Sequence, residues 1–162
     1  MAKTNFAVLN EIDKESFSKL KTNFVQSLNL EPIKKGVFMK TAESALSAAN
    51  AVVPKISVAD GIQKHADGNS VFIDVRDGLE IQETGTIQGA LKIPRGFIEF
   101  AADSSTPYHE EKLQKDAEIV LVCGAGGMAA LTGHTLVEMG FKNVCNVGGF
   151  SDWKENGGPV GT

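Results

Sequence analysis

The reading of the fold turns on "VLVCGAGGMAAL", Val120 to Leu131. Its first half is a continuous apolar run, the pattern of a buried strand. Its second half is small and apolar, the pattern of a helix. Between them stand a cysteine and a run of glycines. Glycines between a strand and a helix aim backbone N–H groups at an anion. Three anions fit that description: the pyrophosphate of a dinucleotide, a phosphate ester, or a sulfur carried by Cys123 itself.

The dinucleotide reading has local support, because Gly124-Ala125-Gly126-Gly127-Met128-Ala129 matches G-x-G-x-x-A after a strand and before a helix. It fails further along. The next strand should end in a carboxylate for the ribose, but "NVCNV" runs into Gly148-Gly149 and only Phe150 to Thr162 remain beyond it. A phosphatase-type loop needs an arginine at the position of Ala129 to clamp the oxyanion. The third reading is a thiolate loop. Cys123 ends a central strand, where open α/β sheets carry their sites. The amides of Gly124 to Ala129 then curl into a nest at a helix N-terminus, which favours a thiolate or a terminal persulfide sulfur. On the residues alone this reading stands level with an inert, buried strand cysteine.

Strand and helix signals alternate from Lys55 onward. "SVFIDV", "ALKIP", "AEIVLVC" and "KNVCNV" read as short buried strands. Ser57 to Asp60 reads as a helix start, "RGFIEFAAD" as a short helix, Met128 to Met139 as a helix stopped by Gly140, and "FSDWKEN" as a last short helix. This alternation predicts an α/β domain with a parallel sheet. Ahead of it, Phe17, Leu20, Phe24 and Leu28 form a helical stripe that ends at Glu31-Pro32, and "TAESALSAANAVV" is a second helix closed by Pro54. The expected division is an N-terminal helical extension over 1–54 and a main domain over 55–162. The extension either packs on the main domain or pairs two copies as a homodimer.

Charge and composition narrow the function. Residues 1–50 hold seven Lys against five Asp/Glu, whereas the rest hold nine Lys/Arg against fifteen Asp/Glu. An acidic main domain argues against a nucleic-acid partner. No apolar run approaches the roughly 20 residues that cross a bilayer, so no membrane partner is expected. The start has no signal-peptide pattern. The two cysteines, without a CxxC pair, suit neither a disulfide scaffold nor zinc. The expected location is cytoplasmic, or periplasmic if a leader has been removed.

With these residues in view, the chain resembles the rhodanese-like sulfurtransferases from about Ile56 to Pro159. "FIDVRD" looks like the family's Asp-Val-Arg strand end, and "ETGTIQGALKIP" like its Glu-x-Gly-His-Ile-x-Gly-Ala element. "LVCGAGGMAALTGHTLVEMGF" looks like its cysteine loop and helix, and "NVGGFSDWKENGGPV" like its closing Gly-Gly-x-x-x-Trp element. "PRGFIEF" is further similar to a branch that includes polysulfide-sulfur transferases.

The resemblance implies a five-stranded parallel sheet flanked by helices. It also implies a nucleophile at Cys123, cradled by Gly124, Ala125, Gly126, Gly127 and Met128, with Ala129 next in the run of amides. The implied reaction takes a sulfane sulfur from thiosulfate, polysulfide or a persulfide. A Cys123 persulfide then passes it to cyanide or a thiol, which a protein can carry. No cofactor or metal is implied. Two positions depart from the family: Met128 stands where many members carry arginine, and Thr86 where histidine is common. Arg95 and Arg76 are the remaining candidates for anion binding, each with a structural alternative. For Arg76 that alternative is an ion pair with Glu80 or Glu83. Cys145 is a candidate resolving thiol or a core residue, and His109 is a candidate for the site rim. Without a guanidinium in the loop, a non-turnover sulfur carrier or redox-sensing module is the alternative to an enzyme.

Overall fold

The structure, a computed structural model, describes residues 39–162 and Lys19. The amphipathic stripe from Phe17 to Leu28 and the expected homodimer surface on it lie outside these residues. In chain order the described elements are α1 (Ala42–Val52), α2 (Val58–Asp67), β1 (Ser70–Asp74), α3 (Gly78–Thr84), β2 (Thr86–Ile87) and β3 (Leu91–Lys92). After a 3₁₀ turn at Arg95–Phe97 come α4 (Ile98–Ala102), β4 (Glu118–Cys123), α5 (Gly127–Glu138), β5 (Asn143–Gly149), α6 (Phe150–Glu155) and β6 (Val160–Gly161).

The sheet runs β3-β1-β4-β5, and every pair in it is parallel. Its strands are apolar because helices cover both faces. Ile73, Ile119, Leu121 and Cys123 enter one core layer, whereas Phe72, Val120, Val122 and Cys145 enter the other. Trp153 is fully buried in the second layer, and its indole N–H donates to the Pro159 carbonyl at 3.0 Å.

Four strands form this sheet, not the expected five. The missing edge strand is reduced to one parallel bridge between Lys55 and Asn146. Asn146 N–H donates to Pro54 O, and Ile56 N–H donates to Asn146 O, both at 3.0 Å. The segment cannot lengthen. Pro54 has no N–H to donate, and Ser57 already caps α2 by accepting from Asp60 N–H at 3.0 Å.

The sequence reading also missed α3 and the antiparallel β2–β6 pair. The helix has seven residues, held by the Asp77 cap on Leu79 N–H and stopped at Gly85. That is too short for a periodic apolar face.

By compactness Lys40–Thr162 forms one unit, and α1 lies within it. A Thr41–Ser44 capping box starts α1. Its end packs tightly on α5: a Cβ added at Gly133 would meet Val53 Cγ1 at 2.8 Å.

Candidate active site

Cys123 is the last residue of β4, paired in register with Gly149 of β5. Its side chain is buried, and Sγ accepts a hydrogen bond from Gly126 N–H at 3.1 Å. Gly126 is also the N-cap of α5, at φ +86. The first-turn amides of α5 have no carbonyl partner within the helix, and the positive end of its dipole lies at the same place. The loop thus gives the sulfur one backbone donor and sets it at the head of a helix. Gly124 and Ala125 are exposed above it, and Met128 stands at the rim with 39% of its surface exposed. Ala129 contributes only backbone, because its methyl group is buried in the core.

A residue that the sequence did not flag holds this loop from behind. A bulge between the Leu121 and Val122 positions shifts the β4–β5 register by one residue. Beside it Asn146, buried, donates from Nδ2 to Gly126 O at 2.9 Å and accepts from Gly148 N–H at 2.9 Å. The approach is close enough to demand glycine. A Cβ on Gly149 would lie 2.8 Å from the Gly124 carbonyl oxygen. Asn146→Ala leaves the buried Gly148 N–H unmatched and Gly126 O with only Ala130 N–H as its donor, and an unmatched buried group costs about 1–3 kcal/mol. Chemical denaturation is expected to show a loss of about 1–3 kcal/mol. A loss below 0.5 kcal/mol, on the order of a neutral surface change, contradicts this role.

The two candidate arginines occupy different settings. Arg76 is buried and fully engaged: Nε and Nη2 donate to the Asp74 carboxylate, Nη1 to Glu80 and Thr84, and Nη2 also to Gly85 O. Its guanidinium also lies 4.4 Å from the Phe150 ring centroid. Burial alone would lower its pKa, but the Asp74 and Glu80 carboxylates outweigh that and the net shift is upward. The expectation of Arg76 as an anion-binding group is therefore corrected: no N–H is left for a ligand. The Glu80 alternative is the one realised. Thr86, at the family's histidine position, donates its hydroxyl to Asp74 at 2.7 Å and completes this cluster. Arg95 is partly exposed, donating to Glu99 at 3.1 Å and to Thr135 at 3.0 Å. Thr135 lies about two turns along α5 from the loop.

Cys145 is not placed as a resolving thiol. It pairs with Val120, three positions before Cys123 on β4, and faces the opposite core layer. At about 3.3 Å per residue that separation exceeds the roughly 7 Å Cα limit of a disulfide. Burial pushes its thiol up to about 11. His109 bonds the Ala101 carbonyl through Nδ1 at 3.1 Å. Among the described residues there is no His/Cys/Asp/Glu cluster suited to a metal, and no helix is long and apolar enough to cross a membrane.

The family model for the rhodanese-like domain matches residues 57–156. The chain belongs to the rhodanese-like domain family. Among its relatives, "Putative sulfurtransferase YtwF" of Bacillus subtilis is 35% identical over 103 residues, which is 63% of this chain and 91% of that protein. "Putative sulfur carrier protein YrkF" of the same organism is 32% identical over 103 residues, 62% of this chain. The chain spans about half of that relative's length, 51%.

Two solved structures share the rhodanese fold. One, from Rhodopseudomonas palustris, is described as a possible tyrosine phosphatase; it is 32% identical with a TM-score of 0.72, covering 82% of this chain and all of that one. The other is the polysulfide-sulfur transferase homodimer of Wolinella succinogenes, 25% identical with a TM-score of 0.57, covering 88% of this chain and 90% of that one.

Proposed function

We propose that this rhodanese-like protein is a sulfurtransferase that works through a Cys123 persulfide. The observation that carries the reading is the Sγ–Gly126 hydrogen bond at the head of α5. That bond sets a backbone donor and the positive end of a helix beside the sulfur that would carry the persulfide.

The thiolate attacks the sulfane sulfur of thiosulfate, a polysulfide or a persulfide. A new S–S bond forms at Cys123, the donor's S–S bond breaks, and sulfite, a polysulfide one sulfur shorter, or a thiolate leaves with the electron pair. An acceptor thiolate or cyanide then attacks the terminal sulfur, and Cys123 leaves as a thiolate into the same N–H bond. The double displacement consumes no outside oxidant. Both cysteines are unpaired, which supports a reducing compartment such as the cytoplasm. The homodimeric Wolinella relative supports pairing of two copies here.

Incubation with thiosulfate or polysulfide, followed by intact mass, tests the reading. An adduct of about 32 Da, one sulfur atom, is expected, together with conversion of cyanide to thiocyanate. No adduct with any of these donors removes the proposal.

Met128 favours a second reading, a sulfur carrier with slow turnover of oxyanions. Met128→Arg supplies a charged donor at the rim, and its bonds predict a gain of about ten- to a hundredfold in thiosulfate kcat/KM. The gain with polysulfide is expected to be smaller. If the wild type already matches the variant on thiosulfate, the missing arginine is irrelevant.

A further inference from the structure

Beside the loop, α1 and the Lys55 bridge border a cleft of about 340 Å³. Its walls include Asn50, Lys55, Gly126, Gly127 and Asn146. Asn146 is committed to the backbone. The side chains of Asn50 and Lys55 are exposed, and among the described residues neither has a hydrogen bond or ion pair. The Lys55 backbone is nevertheless fixed by its bridge to Asn146, and its Cε lies 3.7 Å from where a Gly148 Cβ would be. A free ammonium and a free amide therefore line one cleft together with Leu46, Val53 and the cysteine loop.

Two carboxylates also stand near the loop's glycines. Glu80 Oε1 lies 3.6 Å from where a Gly124 Cβ would be, and Asp152 Oδ2 lies 3.4 Å from where a Gly149 Cβ would be. An anionic group is repelled there and attracted to Lys55. The cleft sits at the lower end of the range of about 300–1,000 Å³ for small-molecule sites. That is more room than a single inorganic sulfur anion fills.

We infer that this cleft binds the carboxylate end of a peptide-sized thiol or persulfide, with Lys55 as its cation and Asn50 as its polar partner. The inference rests on the sulfurtransferase reading and names its thiol class. With the carboxylate at Lys55, the sulfur end of such a molecule extends across Gly126 toward Cys123. In the transfer step its thiolate attacks the terminal sulfur of the Cys123 persulfide. The new S–S bond forms on the ligand, and Cys123 departs as a thiolate.

The test uses the full chain and two probes. S-methylglutathione cannot accept sulfur, so it reports binding alone in an NMR titration. The Asn50 side-chain amide and the Gly126 and Gly127 backbone amides are expected to shift. Lys55→Gln is expected to weaken binding about fivefold, and Lys55→Arg to retain it. With glutathione and 2-mercaptoethanol as acceptors, Lys55→Gln is expected to lower the ratio of their kcat/KM values about fivefold. Shifts confined to other residues, or an unchanged affinity and ratio in Lys55→Gln, overturn the cleft assignment. If S-methylglutathione binds through Lys55 but Cys123 never takes up sulfur, the cleft stands and the sulfurtransferase reading falls. If Cys123 takes up sulfur and Lys55→Gln changes neither quantity, the reverse holds.

Discussion

Cys123→Ser is expected to abolish the sulfur adduct and to lower thiocyanate formation by at least about a thousandfold, as loss of a nucleophile does elsewhere. Serine is the informative replacement because it retains size and an acceptor for Gly126 N–H, so the loop keeps its shape. What it loses is the polarizable sulfur nucleophile. Thermal stability is expected to change little, since Sγ contributes one hydrogen bond and a small buried volume. Cys145→Ser is the paired control. Its thiol is buried in the other core layer and raised to about 11, so that variant keeps the adduct. An adduct that survives in Cys123→Ser and disappears in Cys145→Ser would transfer the chemistry to the wrong face of the sheet and sink the assignment.

Arg76→Leu is expected to cost about 3–5 kcal/mol of stability, the penalty for leaving a buried charge without its partner. For a chain of this size that corresponds to a melting temperature lower by roughly 10 °C. Asp74, fully buried, would keep only Thr86 and the Arg76 backbone N–H as donors. Arg76→Lys is expected to recover little, because an ammonium cannot reproduce the forked contacts to Asp74, Glu80, Thr84 and Gly85. Denaturant titration of both variants checks this. If Arg76→Lys folds with native stability and instead raises the KM for thiosulfate, the guanidinium serves the ligand after all.

The contrast between these two residues explains what the sequence could show. Cys123 was legible because a buried strand, a cysteine and a glycine run are contiguous, and contiguous signals survive in one dimension. The α/β class was legible for the same reason: "SVFIDV", "AEIVLVC" and "KNVCNV" are apolar over whole strands. For Arg76 the local Glu80 was legible as an ion-pair alternative, but the full set of acceptors on Asp74, Thr84 and Gly85 and the Phe150 ring depends on the turn geometry and on β5, which no local pattern announces. Asn146 was invisible for a related reason. A bulge in β5 aims its amide at Gly126, and registers are not written in local periodicity. Lys55 passed unnoticed because one bridge, not a strand, fixes it beside the loop.

The support of the cysteine loop therefore comes from residues 146 to 149, while the exposed side chain at its rim is that of residue 128. The clasp and the rim lie on separate stretches of chain. A change at 128 is expected to leave the clasp behind the loop intact, whereas a change at 146 is expected to loosen it. Such a division makes residue 128 the first position to vary in a redesign, because the cradle does not depend on its side chain.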